Sequence, residues 1–299
     1  MTRVEWAGVF PALTTKFTAA DVVDWASMEQ HLSFQLDAGV HGLVILDTLG
    51  ETSTLSASEK LEIVGFFARA DRRGRPLIAC IAESATRNAK EFVVAAEAAG
   101  ADAFMLLPPM RYHGDQRETM TYMHDVAAVT SLPIMLCNNP NDYGTDLGPD
   151  NVARLADNAK FQAINESTAD TRRIPEIRRR AGDRMAVFCG IDDLALECFA
   201  LGATGWLAGL AVAFPREAVR LWDLTQAARW NEARELYQWF LPLLHLHTGP
   251  RCVQQIKLVE ALMGVGSAKV RAPRLQLSEK EAAAVEKILA TTLERRPQL

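Results

Sequence analysis

The sequence predicts a (β/α)8 TIM barrel with a C-terminal helical extension, and three observations carry that prediction. Eight short apolar runs recur at 9–13, 42–46, 77–81, 103–107, 133–136, 161–164, 185–189 and 204–208. Each is too short for a buried helix and shows little alternation, as strands buried on both faces do. Amphipathic stretches at helical spacing, such as 28–38, 58–70, 89–99 and 117–129, lie between them. Strand–helix alternation repeated eight times specifies a closed parallel barrel. Finally, the chain has 299 residues where such a barrel needs about 250, which leaves a surplus for the extension.

Turn chemistry supports each element in order. Gly39, Gly42, Gly100, Gly182, Gly202 and Gly205 fall in turns entering strands, and Pro76 and Pro133 sit at strand entries. Residues 1–228 form the barrel, whose eighth helix is expected over 216–228. Residues 229–299 form the extension within the same structural unit, with helices at 230–247, 251–263 and from Ser278, where Glu281 completes a capping box. No linker or low-complexity tract marks a second domain.

Composition excludes several classes. A hydrophobic content of 49% with 23% charged residues argues against disorder. No apolar run approaches the ~18 residues of a membrane span. The longest, near 205–214, is broken by Gly209 and stopped by Pro215. The N-terminus lacks the pattern of a secretion signal, and five cysteines without paired spacing read as reduced thiols, so a cytoplasmic location is expected. A net charge of −5 disfavours a nucleic-acid partner. The basic cluster Arg178-Arg179-Arg180 reads as a solvated helix face.

In a barrel of this type, chemistry sits at the carboxyl ends of the strands, and there several motifs match one family. Leu49-Gly50-Glu51-Thr52-Ser53-Thr54-Leu55-Ser56 resembles a T-G-E-x-x-T-L-S turn after the second strand. Ala99-Gly100-Ala101-Asp102-Ala103, running to Pro108-Pro109, resembles the fourth-strand A-G-A-D-A…P-P. Asn138-Asn139-Pro140 resembles N-x-P after the fifth strand, Glu166-Ser167-Thr168 resembles E-A/S-T after the sixth, and Gly190-Ile191-Asp192-Asp193 resembles G-x-D-D after the seventh. The chain thus resembles the dihydrodipicolinate synthase and N-acetylneuraminate lyase family of class I aldolase-type lyases. The resemblance runs over nearly the whole length. It implies a homotetrameric lyase that binds a 2-oxo acid without a separate cofactor. It further implies a sixth-strand lysine that forms an imine, a fifth-strand tyrosine that moves protons, and second-strand hydroxyls that assist.

The reacting positions depart from that pattern. Asn165 occupies the lysine position, and a delocalised amide nitrogen cannot add to a ketone. Cys137 stands where the tyrosine belongs. Thr48 is retained, but Leu49 replaces the neighbouring hydroxyl. Arg111 falls at the second tyrosine of the relay, with Tyr112 beside it, and Asp142 replaces a carboxylate-binding arginine. Thr15, Arg111, Asn138, Asp142, Tyr143 and Gly190 are the expected ligand-binding residues; Asn165, Cys137 and Thr48 are the expected catalytic positions.

Lys160 precedes the sixth strand and belongs to the opposite end of the barrel. Lys16 follows the first strand; it is read as a surface lysine, the alternative being a relocated amine. Asn165 and Asn138 either polarise a carbonyl together, or Asn165 only fills the lysine's space; both readings stand. Cys137 reads as a small buried thiol and Tyr143 as a packing residue that could supply a displaced phenol. Glu51, Glu166, Asp192 and Asp193 read as helix caps. Asp47, Glu83 and Asp142 make the mouth acidic; a bound divalent cation is one explanation. Single residues on separate loops establish no metal-ligand spacing, so an Asp142–Arg111 pair is the preferred reading and no metal is expected. His245 and His247 read as surface or interface histidines of a helix. Two functions follow: a lyase, hydratase or isomerase acting on a small carboxylic acid without an imine, or a non-catalytic oligomeric binding protein. The polar residues kept at the mouth favour the enzyme.

Overall fold

The computed structural model describes residues 4–109 and 114–298. Its eight parallel strands are β1 (Gly8–Pro11), β2 (Leu43–Ile45), β3 (Leu77–Ile81), β4 (Ala103–Leu106), β5 (Ile134–Asn138), β6 (Phe161–Glu166), β7 (Ala186–Cys189) and β8 (Gly205–Ala208). Neighbours in sequence pair in space, and β1 also pairs with β8. The cylinder closes between β1 and β2, where His41 N donates to Val9 O at 2.9 Å and Leu13 N to Val44 O at 2.8 Å. Closure removes both sheet edges, so no ladder group needs water. β3 and β4 are buried at every position, as apolar runs facing both an interior and a helical layer must be.

The helical layer comprises α1 (Trp25–Asp37), α2 (Ala57–Arg69), α3 (Thr86–Ala99), α4 (Gln116–Ala127), α5 (Pro140–Tyr143), α6 (Pro149–Leu155), α7 (Arg173–Ala181), α8 (Ala195–Ala200) and α9 (Pro215–Gln226). The extension adds α10 (Trp230–Leu244), α11 (Cys252–Leu262) and α12 (Glu279–Leu293). The Ser278–Glu281 capping box opens α12. Among the described residues, no helix is long and apolar enough to cross a membrane.

Three expectations about elements need correction. β5 and β6 continue beyond the apolar runs, through Asn138 and Glu166, because these polar side chains satisfy each other: Asn138 Nδ2 donates to Glu166 Oε2 at 3.1 Å. The helix expected to run to residue 247 ends at Leu244, and His245–His247 forms a single 3-10 turn. Pro242 lacks an N–H, and Gly249-Pro250 cannot extend the helix. Lys16, expected on the surface, is only 1% exposed. Its Nζ lies 2.5 Å from Glu260 Oε1, 244 positions along the chain, a partner that local sequence cannot reveal.

That ion pair belongs to a buried polar seam joining α11 to the loops after β1 and β2. Thr14 Oγ1 donates to both Glu260 oxygens at 2.9 Å. Beside it Lys257 Nζ donates to Glu51 Oε1 at 2.7 Å and to Thr15 O at 2.9 Å. His31 Nε2 approaches Val212 O at 2.7 Å and Glu260 Oε1 at 3.3 Å. Burial, and then the Lys16 charge, push His31 down to about 4.

The sign of the pH effect follows. An unfolded histidine takes up a proton near its ordinary value of 6.5, whereas folded His31 resists protonation to about 4. Between those limits the unfolded state binds the extra proton, so stability falls as pH drops. The expected loss from this residue is on the order of 3 kcal/mol. Denaturant titrations from pH 7 to 4 check it: His31→Gln should show a shallower decline than the wild type, and parallel curves would exclude the effect.

Candidate functional site

The carboxyl ends of the strands open into a cavity of about 700 Å³. Strand geometry decides which side chains reach it. Successive residues on a strand face opposite sides, and Cys137 pairs with Asn165 while Asn138 pairs with Glu166. Cys137 and Asn165 line the cavity. Asn138 and Glu166 are buried on the other face, where Asn138 also donates to Asp146 at 3.2 Å and accepts from Leu147 N at 2.8 Å. Asn138, expected beside the ligand, is thus spent inside the fold, and the carbonyl-polarising pair is not assembled. Thr15 is likewise removed: its hydroxyl donates to Gly50 O at 2.6 Å and clamps two loops.

Thr48, Asp142, Tyr143 and Gly190 all line the cavity. The Asn139-Pro140 pair starts α5, with the Asn139 side chain capping Asp142 N, and this one-turn helix delivers Tyr143 inward. The Tyr143 phenol meets Thr48 Oγ1 at 2.9 Å, so Tyr143 is more than packing. Burial, then the nearby Asp47 carboxylate, push its hydroxyl well up, which keeps it protonated. Asp142 Oδ2 accepts from Asn139 Nδ2 at 2.7 Å. Arg111, its expected partner, lies outside the described residues, as does Tyr112.

Asn165 is 4% exposed. Its Nδ2 lies 3.2 Å from Ser167 Oγ and 3.8 Å from Cys137 Sγ, while its Oδ1 is buried with no partner among the described residues. A buried acceptor left unpaired costs free energy until something donates to it. Gly190 leaves room for this arrangement, since a Cβ there would collide with Ser167 Oγ and the Asn165 amide. Burial pushes the Cys137 thiol far up, so it remains a neutral thiol and not a nucleophile.

Of the eight lysines in the chain, none lines this cavity. Lys16 and Lys257 are locked in the seam behind it, and Lys60 pairs with Glu83 at 2.6 Å. Glu83 is thus engaged by Lys60 and does not line the cavity. Asp47 does line the cavity, with burial raising its carboxyl above the ordinary range. Among the described residues, no three His, Cys, Asp or Glu side chains converge to hold a metal ion.

His247 is the residue the sequence did not reveal. The 3-10 turn after α10 swings it into the cavity, with its side chain 20% exposed and Nδ1 3.2 Å from Asp192 Oδ2. His245 instead points outward, half exposed, toward Asp193. The Thr248-Gly249-Pro250 break was the available signal, because it ends the helix where His247 stands. Asp192 does not cap its own helix: Trp206 Nε1, Gly209 N and Leu210 N donate to it at 2.9, 3.0 and 2.7 Å. Burial alone would raise that carboxyl, but His247 and the two backbone N–H groups hold it below its usual range. Burial alone would lower His247, yet Asp192, helped by Asp47 and Asp193, raises it. Glu51 and Glu166 are similarly diverted from capping, to Lys257 and to Thr168 N at 2.9 Å.

Comparison with known proteins gives a consistent picture. The model of the dihydrodipicolinate synthetase family matches residues 5–292. A 4-hydroxy-tetrahydrodipicolinate synthase of Geotalea daltonii is 31% identical over 277 residues, spanning 91% of this chain and 93% of its own. The synthase of the thermoacidophilic methanotroph Methylacidiphilum fumariolicum SolV superposes with a TM-score of 0.92 at 27% identity, over 96% of each chain. A prophage protein of the same family from E. coli K12, solved in complex with pyruvate, gives 0.91 at 26% identity, over 96% of this chain and 98% of its own.

Proposed function

From its membership of the dihydrodipicolinate synthetase family, to which this chain belongs, we propose that the barrel mouth binds a small 2-oxo or hydroxy carboxylic acid and acts on it as a lyase-type enzyme without a lysine imine. The observation that carries this reading is that Asn165, which the resemblance aligns with the family lysine, lines the cavity from β6, and that no lysine lines it. The pyruvate held by the E. coli relative supports the ligand class. The unpaired Asn165 Oδ1 supports a bound group that donates a hydrogen bond, such as a hydroxyl or an enol.

The chemistry then rests on electrostatics. Asn165 Nδ2, the Thr48–Tyr143 pair and a protonated His247 are donors able to stabilise a developing enolate. Arg111 remains the proposed anchor of the ligand carboxylate, and Asp142 stands where the resemblance implies an arginine in the synthase branch. The family resemblance supports a homotetramer, and five free cysteines support a reducing, cytoplasmic setting.

Calorimetry with pyruvate, followed by borohydride treatment and peptide mapping, tests the reading. Saturable binding is expected with no reduced adduct on any lysine, and an adduct on any of them overturns the imine-free mechanism. Binding of 2-oxo and hydroxy acids without conversion of any would favour a non-catalytic binding protein instead.

A further inference from the structure

What moves protons in this mouth is not obvious from Cys137 or Tyr143, both held protonated by burial. His247 is placed differently. It arrives from the C-terminal extension, 55 positions after Asp192, and meets a carboxylate that is fully buried. Three N–H groups, two of them backbone, fix that carboxylate, so it cannot rotate away from the imidazole. Its contact with Nδ1 leaves Nε2 as the ring nitrogen that the carboxylate does not engage. Gly209 makes space for the ring, since a Cβ there would run into the imidazole. A histidine that only filled space would need neither the anchored carboxylate nor the cleared glycine.

We propose that His247, oriented by Asp192, is the general acid of the site. The proposal deepens the reading of the mouth as a 2-oxo-acid site and rests on it. Enolisation of pyruvate is the simplest step to consider. Asp47, on the same cavity wall, removes a C3 proton; the C–H electron pair becomes the C2=C3 bond. The carbonyl π pair moves to oxygen, which takes the Nε2 proton of the His247 imidazolium and forms the enol hydroxyl, leaving His247 neutral and Asp47 protonated. Once the Asp47 carboxyl has exchanged its proton with solvent, the reverse sequence returns that solvent proton to C3, hands the enol proton back to His247 and regenerates the ketone. Asp192 itself stays ionised and acts by position. The charged groups facing His247 are Asp192 and Asp193 from the turn after β7 and Asp47 from the turn after β2.

Exchange of the pyruvate methyl protons in D2O, followed by proton NMR, is the test. The wild type is expected to catalyse exchange, and His247→Gln to slow it by roughly 10²-fold or more while pyruvate affinity by calorimetry stays nearly unchanged. Asp192→Asn should move the high-pH decline of exchange to lower pH, because losing the carboxylate lowers the imidazole pKa; a purely structural Asp192 would depress the rate without moving that limb. Equal exchange by wild type and His247→Gln, or pyruvate binding without exchange in the wild type, overturns the role of His247 while leaving the ligand class intact. Failure of the wild type to bind pyruvate at all removes the underlying reading, and this inference with it.

Discussion

Asn165→Lys is expected to acquire a borohydride-trappable pyruvate adduct on residue 165, where the wild type gives none. The side chain at 165 is 4% exposed and projects into the cavity beside Cys137 and Ser167. Burial disfavours the charged ammonium and raises the fraction of neutral amine, the form that attacks a carbonyl. The longer side chain must displace its neighbours, so a stability loss of about 1–3 kcal/mol is expected. Turnover should remain low even so: burial holds Cys137 as a neutral thiol at the position where the resemblance expects a tyrosine, and an acid–base group missing from that position is worth roughly 10²–10⁴ in rate. Intact mass and peptide mapping after reduction read the result. A folded variant that traps nothing would mean that residue 165 does not address the ligand carbon.

Glu260→Ala is expected to lose about 3–5 kcal/mol of stability, the usual cost of stranding one partner of a buried ion pair. Lys16 is 1% exposed and depends on Glu260, and Thr14 donates to the same carboxylate. Burial already presses the Lys16 ammonium below its ordinary pKa, with Glu260 opposing that shift. Removing Glu260 also loosens α11 from the loop after β1. Urea denaturation measures the loss, and the double variant Lys16→Met, Glu260→Leu should recover most of it, because matched apolar groups need no partner. A loss below about 1 kcal/mol in the single variant, the range of exposed pairs, would show that water reaches this seam.

The strands were legible because burial on both faces leaves an apolar signature that needs no knowledge of partners. Phe161–Glu166 shows the limit of that signal: the apolar run ends at Ile164, yet the strand continues because Glu166 finds Asn138 across the sheet. The Asn139-Pro140 start of α5 was readable as a motif, but not that it would carry the Tyr143 phenol to Thr48. Thr15 and Asn138 seemed available for a ligand because sequence says which strand end a residue occupies, not which face it takes.

By itself the sequence determined the eightfold strand–helix alternation, the mouth as the place for chemistry, and an amide at position 165. The alternation follows from periodicity, the mouth from the barrel that periodicity specifies, and the meaning of the amide from the motifs the chain shares with its family. Only the tertiary structure decided that Lys16 is buried against Glu260, that Asn138 turns away, and that His247 reaches Asp192. Those outcomes depend on pairs far apart in the chain, and the cost of burying a charge or a polar group is met only when the fold brings its partner within hydrogen-bonding distance.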